Sequence, residues 1–349
     1  MYCNIIIIRP FNKVFTYDAG SSKVKRGQIV LVPFGKKIEV GMIIDIGIPK
    51  PKYKIKKIYK ILNSICLDES IVRFIKWIQE YTLAPIGSIL KLFIINYKIV
   101  QFELSTHNNM QISLKSVVLN IEQKKAKNNI FQYLKTSSKP IVLEGVTGSG
   151  KTEVYFDLIE NFILKKKQIL VMLPEISLTP QLENRFFERF GINADIWHSK
   201  ISEKKRHDIW HRAFRGDTMI VIGARSSLFL PFSNLALIII DEEHDPSYKQ
   251  EDNIRYQARD LAVVRSQFQN CKLILSSATP SLETQNNINK KKYHHVFLSK
   301  QYSGLPLPKV ELVDLNHNKL QKNFWISETV IQELSKCLNK GEQALIFLN

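Results

Sequence analysis

A short glycine-rich segment carries the most direct chemical signal in this sequence. Residues 145–152 read GVTGSGKT and match the pattern G-x-x-x-x-G-K-[ST]. Such glycines let backbone N–H groups turn toward phosphate oxygens, while Lys151 would reach the β- and γ-phosphates and Thr152 would offer its hydroxyl to Mg²⁺. We therefore expect a nucleoside triphosphate site. The residues assigned to it are Gly145, Gly148, Ser149, Gly150, Lys151, Thr152 and Glu153.

The acidic run at residues 241–244, DEEH, narrows the reaction. It follows a fully apolar stretch, Leu235–Ile240, that is typical of a buried strand. At the end of that strand Asp241 would hold Mg²⁺ through water, and Glu242 would orient and deprotonate the attacking water. Acidic residues after a strand often only cap the next helix, but a phosphate loop in the same chain favours catalysis. The predicted catalytic residues are Lys151, Asp241, Glu242 and His244, the last linking the γ-phosphate to a DNA-contacting element.

Other polar groups could sense the nucleotide. Ser277 and Thr279 follow another apolar stretch, Lys272–Ser276, and their hydroxyls would couple to the γ-phosphate state. Such hydroxyls commonly cap helices instead, so this signal depends on the acidic run nearby. Gln123, upstream of the phosphate loop, can donate to and accept from the adenine edge; the alternative is a solvated helix start.

These segments need a common scaffold, and the pattern between them indicates one. From residue 119 onward, apolar stretches alternate with helical ones such as Glu122–Leu134 and Glu153–Leu164. Near-continuous apolar strands separated by helices predict a parallel sheet buried on both faces. The predicted fold is an α/β, RecA-like P-loop lobe preceded by a small β-rich domain. The predicted strands of the lobe and beyond are Pro140–Leu143, Gln168–Leu173, Met219–Ile222, Leu235–Ile240, Lys272–Ser276 and Lys309–Val313.

The N-terminal part has a different texture. Short β-branched runs at Ile5–Ile8, Gln28–Val32 and Val40–Ile46, separated by glycine and proline, predict strands. Helical spacing follows over Asp68–Tyr81, and again over Ser88–Ile95. We predict a β-rich domain with a helical extension at 1–97, a linker at 98–118, the P-loop lobe at 119–300, and a hinge with the start of a further lobe at 301–349.

The charge balance favours a polyanionic partner. Lys plus Arg number 50 against 32 Asp plus Glu, a formal net charge of +18, which suits nucleic acid or a membrane surface. AT-rich coding, with its many Ile, Lys and Asn codons, would produce the same excess, so charge alone does not decide. No apolar run reaches the length of a membrane span, and the four cysteines are too dispersed for a zinc site or a disulfide framework. We expect a cytoplasmic protein without membrane contact.

Together these motifs resemble those of superfamily 2 helicases and, more closely, of the primosomal replication-restart helicases, the PriA family. The likeness covers most of the chain. Its segments are GVTGSGKTEVY (145–155), LPEISLTPQ (173–181), GARSSLFLPF (223–232), DEEHDPSYKQ (241–250), RYQARDLAVVR (255–265) and SATPSLE (277–283), with VPFG (32–35) and Tyr81…Pro85-Ile86-Gly87 resembling the family's DNA 3′-end-binding domain.

The resemblance implies an ATP- and Mg²⁺-dependent DNA helicase of 3′-to-5′ polarity that restarts replication at stalled or branched forks. Implied partners are branched or single-stranded DNA, primosome proteins, single-strand binding protein and factors that load the replicative helicase. The implied 3′-end pocket contains Phe15, Thr16, Tyr17, Gly35 and Lys57, with Thr16 standing where the family usually has Asp. The implied strand-contacting residues of the lobe, aromatics interleaved with cations and polar groups, are Thr179, Gln181, Arg225, Ser226, Tyr248, Lys249, Arg255 and Tyr256.

Three departures from the family pattern shape the expectation for this chain. Only residues 98–118 stand where the family has a winged-helix domain, too few for a domain. The family's paired zinc-binding cysteines are absent, so no zinc ligands are expected in this chain. The sequence stops at Asn349, where the second motor lobe, with its transition-state arginines, would begin. We therefore expect binding of ATP and DNA but incomplete catalysis.

Two other classes of function stay open. A chain without a second lobe could be a non-catalytic fork-binding platform that recruits replication proteins, and multiple turnover of ATP would separate this from a motor. A P-loop small-molecule kinase would need a lid and an acceptor pocket. The DEEH and Ser-Ala-Thr motifs and the net charge of +18 argue against the kinase.

Overall fold

The chain forms two units. The computed structural model describes residues 1–94, 113–115, 117–174, 180–302, 309–317, 320 and 324–347. Contacts divide it into Met1–Gly304 and Leu305–Asn349, while the boundary at residue 300 stays a prediction. The second unit contains helix α9, Glu328–Asn339, whose N-terminus is capped by the Ser327 side chain. Within the described ranges no helix is long and apolar enough to cross a membrane.

The first sheet is antiparallel and packs against two helices. Its strands are β1 Tyr2–Ile7, β2 Phe15–Asp18, β3 Gln28–Phe34, β4 Lys37–Ile48 and β5 Lys60–Cys66, followed by helices α1 Glu69–Thr82 and α2 Ile86–Phe93. The strand order is β2-β1-β4-β3-β5. Asp68 caps α1 by accepting a hydrogen bond from the Ser70 N–H. Sequence periodicity does not find β2 or β5, because β2 is short and polar and Asn63-Ser64 interrupts the apolar pattern of β5.

The second sheet is parallel and carries the lobe. Its strands are β6 Ile141–Gly145, β7 Gln168–Met172, β8 Asp195–Trp197, β9 Ile220–Gly223, β10 Leu235–Asp241, β13 Lys272–Ser277 and β14 His294–Leu298; β11 Lys249–Gln250 and β12 Tyr256–Gln257 form a small hairpin. The strand order is β14-β6-β13-β10-β7-β9-β8. The helices are α3 Ile121–Thr136, α4 Lys151–Leu164, α5 Pro180–Phe190, α6 Glu203–Arg215, α7 Ala258–Phe268 and α8 Leu282–Asn289. The inner strands are almost wholly buried, as an α/β sheet covered on both faces requires.

One predicted strand is wrong. Residues 309–314 have no regular secondary structure, and no described strand pairs with them. A strand is stable only when its backbone N–H and C=O groups find a partner, and apolar alternation over Lys309–Val313 does not supply one. Conversely, the edge strands β8 and β14 escaped prediction, since β8 has three residues and β14 opens with two histidines.

The N-terminal domain and the lobe share one continuous core. Phe93 of α2 lies edge-to-face with Phe74 of α1, at 5.9 Å between ring centroids, and with Phe229 of the lobe, at 5.3 Å. The buried Trp210 indole of α6 donates to the Phe93 carbonyl oxygen at 2.7 Å. A buried indole N–H needs such a partner, so this bond fixes the two domains against each other.

Candidate functional site

The fold brings the three nucleotide motifs to one edge of the parallel sheet. β13 pairs with β6 on one side and with β10 on the other, with Ser276 opposite Asp241. Strands β6, β13 and β10 end respectively in the glycine loop, the Ser-Ala-Thr segment and the acidic run. The carboxyl ends of parallel strands are where open α/β sheets bind ligands.

The glycine loop has the shape of a phosphate cradle. Gly148 and Gly150 have φ angles of 76° and 78°, a region that glycine enters at little cost. The Lys151 Nζ atom, largely buried, donates to the Gly145 carbonyl oxygen at 2.9 Å. The Ser149 hydroxyl is buried, and no partner for it lies within the described residues. A buried unpaired hydroxyl and an ammonium at the start of α4 fit a bound phosphate.

The side chain of Gln123 supports the glycine loop. It forms a capping box with Asn120 at the start of α3, and its Nε2 atom donates to the Ser149 carbonyl oxygen at 3.0 Å. A Cβ atom on Gly150 would lie 2.3 Å from that nitrogen. Both polar atoms of the Gln123 amide therefore already have partners within the protein. Recognition of adenine by Gln123 stays a prediction, and it would require these hydrogen bonds to be exchanged. Glu153, predicted beside the nucleotide, pairs with Arg185 at 2.5 Å.

The carboxylate of Asp241 is held by three donors. Its Oδ1 atom accepts from the Ser276 hydroxyl at 2.7 Å and from the Glu242 N–H at 3.1 Å, and its Oδ2 atom accepts from the Tyr155 hydroxyl at 3.0 Å. Burial, followed by the charge of Asp241, raises the pKa of Tyr155 well above its usual range, while a hydrogen bond to Thr152 acts in the opposite direction. The residues that would hold Mg²⁺ are Thr152 and Asp241.

The acidic run splits between site and core. Glu242 has a φ of 47°, in the left-handed region that costs a non-glycine residue about 1–2 kcal/mol. This turn leaves Glu242 half-buried and buries Glu243 fully, which accepts from the Ser281 N–H at 2.7 Å and pairs with Arg259 at 3.1 Å. His244 places its Nδ1 atom 2.8 Å from the Ser277 hydroxyl oxygen.

The residues predicted to couple the motifs are therefore adjacent. The Ser277 hydroxyl oxygen contacts His244 and also accepts the Thr279 N–H at 3.0 Å. It is the backbone of Thr279 that makes this contact, whereas the sequence suggested its hydroxyl. A relay of the γ-phosphate state through these groups stays a prediction.

A cleft of about 630 Å³ lies between α2 and the lobe. Arg225 and Ser226 line one wall, while Ser88 and Lys91 of α2 line the other. The guanidinium of Arg225 donates to the carbonyl oxygens of Ser247 and Lys249, both at 2.8 Å. The sequence did not point to Lys91, because only tertiary packing sets α2 opposite Arg225.

One of the predicted DNA contacts needs correction. The Tyr248 ring is 1% exposed and presents no face for base stacking, whereas Tyr256, 7% exposed, lines the cleft together with Arg225, and its contact with DNA stays a prediction. The Tyr248 hydroxyl instead donates to the Asp241 carbonyl oxygen at 2.7 Å. Lys249, Arg255 and Gln181 are on the surface, where DNA contact stays a prediction. Thr179 lies outside the described residues.

The N-terminal domain contains a pocket of about 420 Å³. The predicted residues Phe15, Thr16, Tyr17 and Gly35 all line it. Phe15 packs edge-to-face on Phe34 at 5.1 Å, and the Thr16 hydroxyl donates to the Asn4 Oδ1 atom at 2.9 Å.

The sequence predicts that Lys57 or a neighbour meets phosphate in this pocket, and this stays a prediction. Lys57 forms an isolated bridge with Asp18 and is not among the lining residues, whereas its neighbour Lys56 is. The lysines that do line the pocket are Lys13, Lys54 and Lys56. Lys54 and Lys56 belong to the lysine-rich stretch 50–60. Sequence alone does not show which lysines of that stretch face the pocket.

Comparison with known proteins agrees with this geometry. Residues 121–288 match the model of the DEAD/DEAH box helicase family, and residues 4–94 match that of the PriA 3′ DNA-binding domain. The replication restart protein PriA of Rickettsia felis is 40% identical over 98% of this chain and 53% of its own length, and that of Haemophilus influenzae is 47% identical over 60% and 28%. The Pyrococcus furiosus Hef helicase domain covers 51% of this chain and 38% of its own at 17% identity, with a TM-score of 0.39, too distant a likeness to inform the assignment.

The sheet, its loop motifs and the matched domain define the motor lobe of a DEAD/DEAH box helicase. The matched domain at residues 4–94 narrows this class of helicases to one family. The chain belongs to the PriA family of replication restart proteins. It spans about half the length of the curated relatives it matches, 53% in the Rickettsia felis protein.

Proposed function

We propose that this chain is the ATP-binding and DNA-binding part of a replication restart motor that acts on branched DNA. One observation carries the proposal: the fold gathers Lys151, Thr152 and Asp241 at a single sheet edge, and the buried Ser149 hydroxyl of the glycine loop has no partner among the residues that the structure describes. Lys151 would bind the phosphates of ATP, and Thr152 with Asp241 would hold Mg²⁺. Glu242, half-buried beside them, would orient the attacking water.

The proposed DNA substrate is inferred from the N-terminal domain. A pocket lined by Phe15, Thr16 and three lysines suits a terminal nucleotide, since an aromatic face can stack on a base and a hydroxyl can accept from a 3′-hydroxyl. The nearby lysines would neutralise the adjoining phosphates. We infer recognition of a nascent-strand 3′ end at a stalled fork, with 3′-to-5′ movement. Primosome proteins, single-strand binding protein and helicase-loading factors would be the partners, and the cytoplasm the setting.

The test is ATP hydrolysis by the 349-residue chain, with and without forked DNA that carries a 3′ end at the branch. In Lys151→Ala, DNA-stimulated turnover should fall by about 10²-fold or more, because the variant loses the cation that stabilises the transferring phosphate. Lys165→Ala, at the exposed end of the same helix, is the matched control. Normal turnover in Lys151→Ala would contradict the site assignment.

A second outcome of the same experiment has its own meaning. Tight binding of ATP and forked DNA without turnover would assign this chain to the binding half of a motor, or to a platform that recruits other proteins. Absence of both binding activities would contradict the proposal as a whole.

A further inference from the structure

The hydroxyl of Tyr155 lies between the two residues expected to hold Mg²⁺. Tyr155 follows Thr152 by three positions on α4, so both side chains lie on one face of that helix. The tyrosine is 1% exposed. Its hydroxyl donates to the Asp241 Oδ2 atom at 3.0 Å, and the Thr152 side chain also interacts with it, in the sense that lowers the pKa of the phenol.

This contact completes the support of the Asp241 carboxylate. The Oδ1 atom has two donors, the Ser276 hydroxyl and the Glu242 N–H, whereas the donor recorded for Oδ2 is Tyr155. Each carboxylate oxygen has more than one acceptor position. A phenol can therefore fix the orientation of Oδ2 and still leave it a lone pair for a metal-bound water.

Orientation matters at such a site. Mg²⁺ requires nearly ideal octahedral geometry and keeps several of its waters, so a rotated carboxylate misplaces the water it must hold. Loss of a residue that orients a metal ligand typically reduces metal affinity 10–100-fold. A tyrosine that only filled the core would have no such effect.

We propose that Tyr155 is a positioning residue of the magnesium site, whose hydroxyl fixes the Asp241 carboxylate and the Thr152 hydroxyl relative to each other. The proposal rests on the nucleotide site proposed above. It assigns to the Tyr155 ring its place in the core and to the hydroxyl a separate role in metal affinity.

The test is ATP binding by calorimetry on the full chain, over a series of Mg²⁺ concentrations and in EDTA. In Tyr155→Phe, the Mg²⁺ concentration that gives half of the maximal effect should rise by about tenfold or more, while affinity in EDTA stays unchanged. Tyr133→Phe is the matched control, because Tyr133 is a half-buried tyrosine of the same lobe, and its ring stacks on His294 at 4.0 Å between ring centroids.

A second variant separates orientation from packing. In an Asp241→Asn background, Tyr155→Phe should cause no further shift in Mg²⁺ dependence, because the carboxylate it orients is gone. An unchanged Mg²⁺ dependence in Tyr155→Phe, or equal losses with and without Mg²⁺, would overturn the proposal. Wild-type protein that binds ATP equally in Mg²⁺ and in EDTA would overturn the magnesium site itself, a result recognisable without any variant.

Discussion

At the scale of single residues, neighbours in the acidic run have opposite environments. Glu242 is half-buried, whereas Glu243 is fully buried against Arg259, Ser281 and Thr284. The left-handed backbone at Glu242 produces this division, because it turns the chain between the two carboxylates. The site gains a carboxylate that solvent can reach, and the lobe gains a buried ion pair that ties the turn after β10 to α7.

We expect Glu243→Ala to destabilise the lobe strongly. The variant removes the buried carboxylate that pairs with Arg259 and leaves only Asp260 and Glu283, which are 44% and 71% exposed; breaking such a buried pair costs about 3–5 kcal/mol of unfolding free energy. Urea denaturation followed by circular dichroism measures the change. Glu251→Ala is the control, because Glu251 and its partner Lys249 are 72% and 62% exposed, and a pair so open to solvent contributes little to the unfolding free energy. Similar losses in both variants would contradict the structural role of Glu243.

At the scale of elements, the junction of the glycine loop with α4 depends on α3. Gly150 begins α4 in the left-handed region, directly against the Gln123 amide. The oxygen of the same amide accepts from the Asn120 N–H and so caps α3, while its nitrogen donates to the Ser149 carbonyl oxygen. The shape of the loop is therefore set by Gln123 of α3, 26 residues upstream of Ser149, as well as by its own glycines.

We expect Gly150→Ala to be more destabilising than Gly148→Ala. Both glycines have φ near 77°, so both variants incur a left-handed cost of about 1–2 kcal/mol. A Cβ at Gly150 would also collide with Gln123 at 2.3 Å, whereas one at Gly148 would meet nothing within 4 Å. The difference in unfolding free energy without nucleotide measures the collision, and equal values would show that Gln123 does not brace the loop.

How well the sequence predicts the fold differs from one element to another. The inner strands were predicted close to their observed bounds, because burial on both faces writes a continuous apolar run into the chain. The edge strand β8 has only three residues, and β14 alternates buried with more exposed residues, so neither left such a run. The glycine loop and the acidic run were found because each is contiguous in sequence. Only tertiary packing brings Tyr155 into contact with Asp241 and places Lys91 and Arg225 around one cleft.

At the scale of the whole first unit, the N-terminal domain and the lobe contribute opposite walls of one cleft. Lys91 comes from α2, and Arg225 follows β9. Two cations with several hydroxyl and amide groups suit the backbone of a single strand, which carries phosphates without a sequence signal. Domain packing would then extend the DNA path beyond the lobe.

We expect Lys91→Ala to weaken single-stranded DNA binding and to reduce its salt dependence. Loss of one phosphate contact lowers the slope of log affinity against log salt by about 0.7 for a single strand. Fluorescence anisotropy over a salt series measures this slope. Lys135→Ala serves as control. Lys135 is an exposed residue of α3, and α3 packs beside β14, the edge strand of the parallel sheet that lies farthest from β8. Equal slopes in wild type and Lys91→Ala would place the strand elsewhere.

The indole of Trp210 has a practical consequence. It is 1% exposed and bonded across the junction of the two domains, whereas Trp325 is 64% exposed. A tryptophan shielded from water emits at shorter wavelength and is quenched less than a solvated one. The junction thus contains an intrinsic optical reporter, and loosening of the two domains during a cycle of DNA or nucleotide binding can be followed on the unlabelled chain.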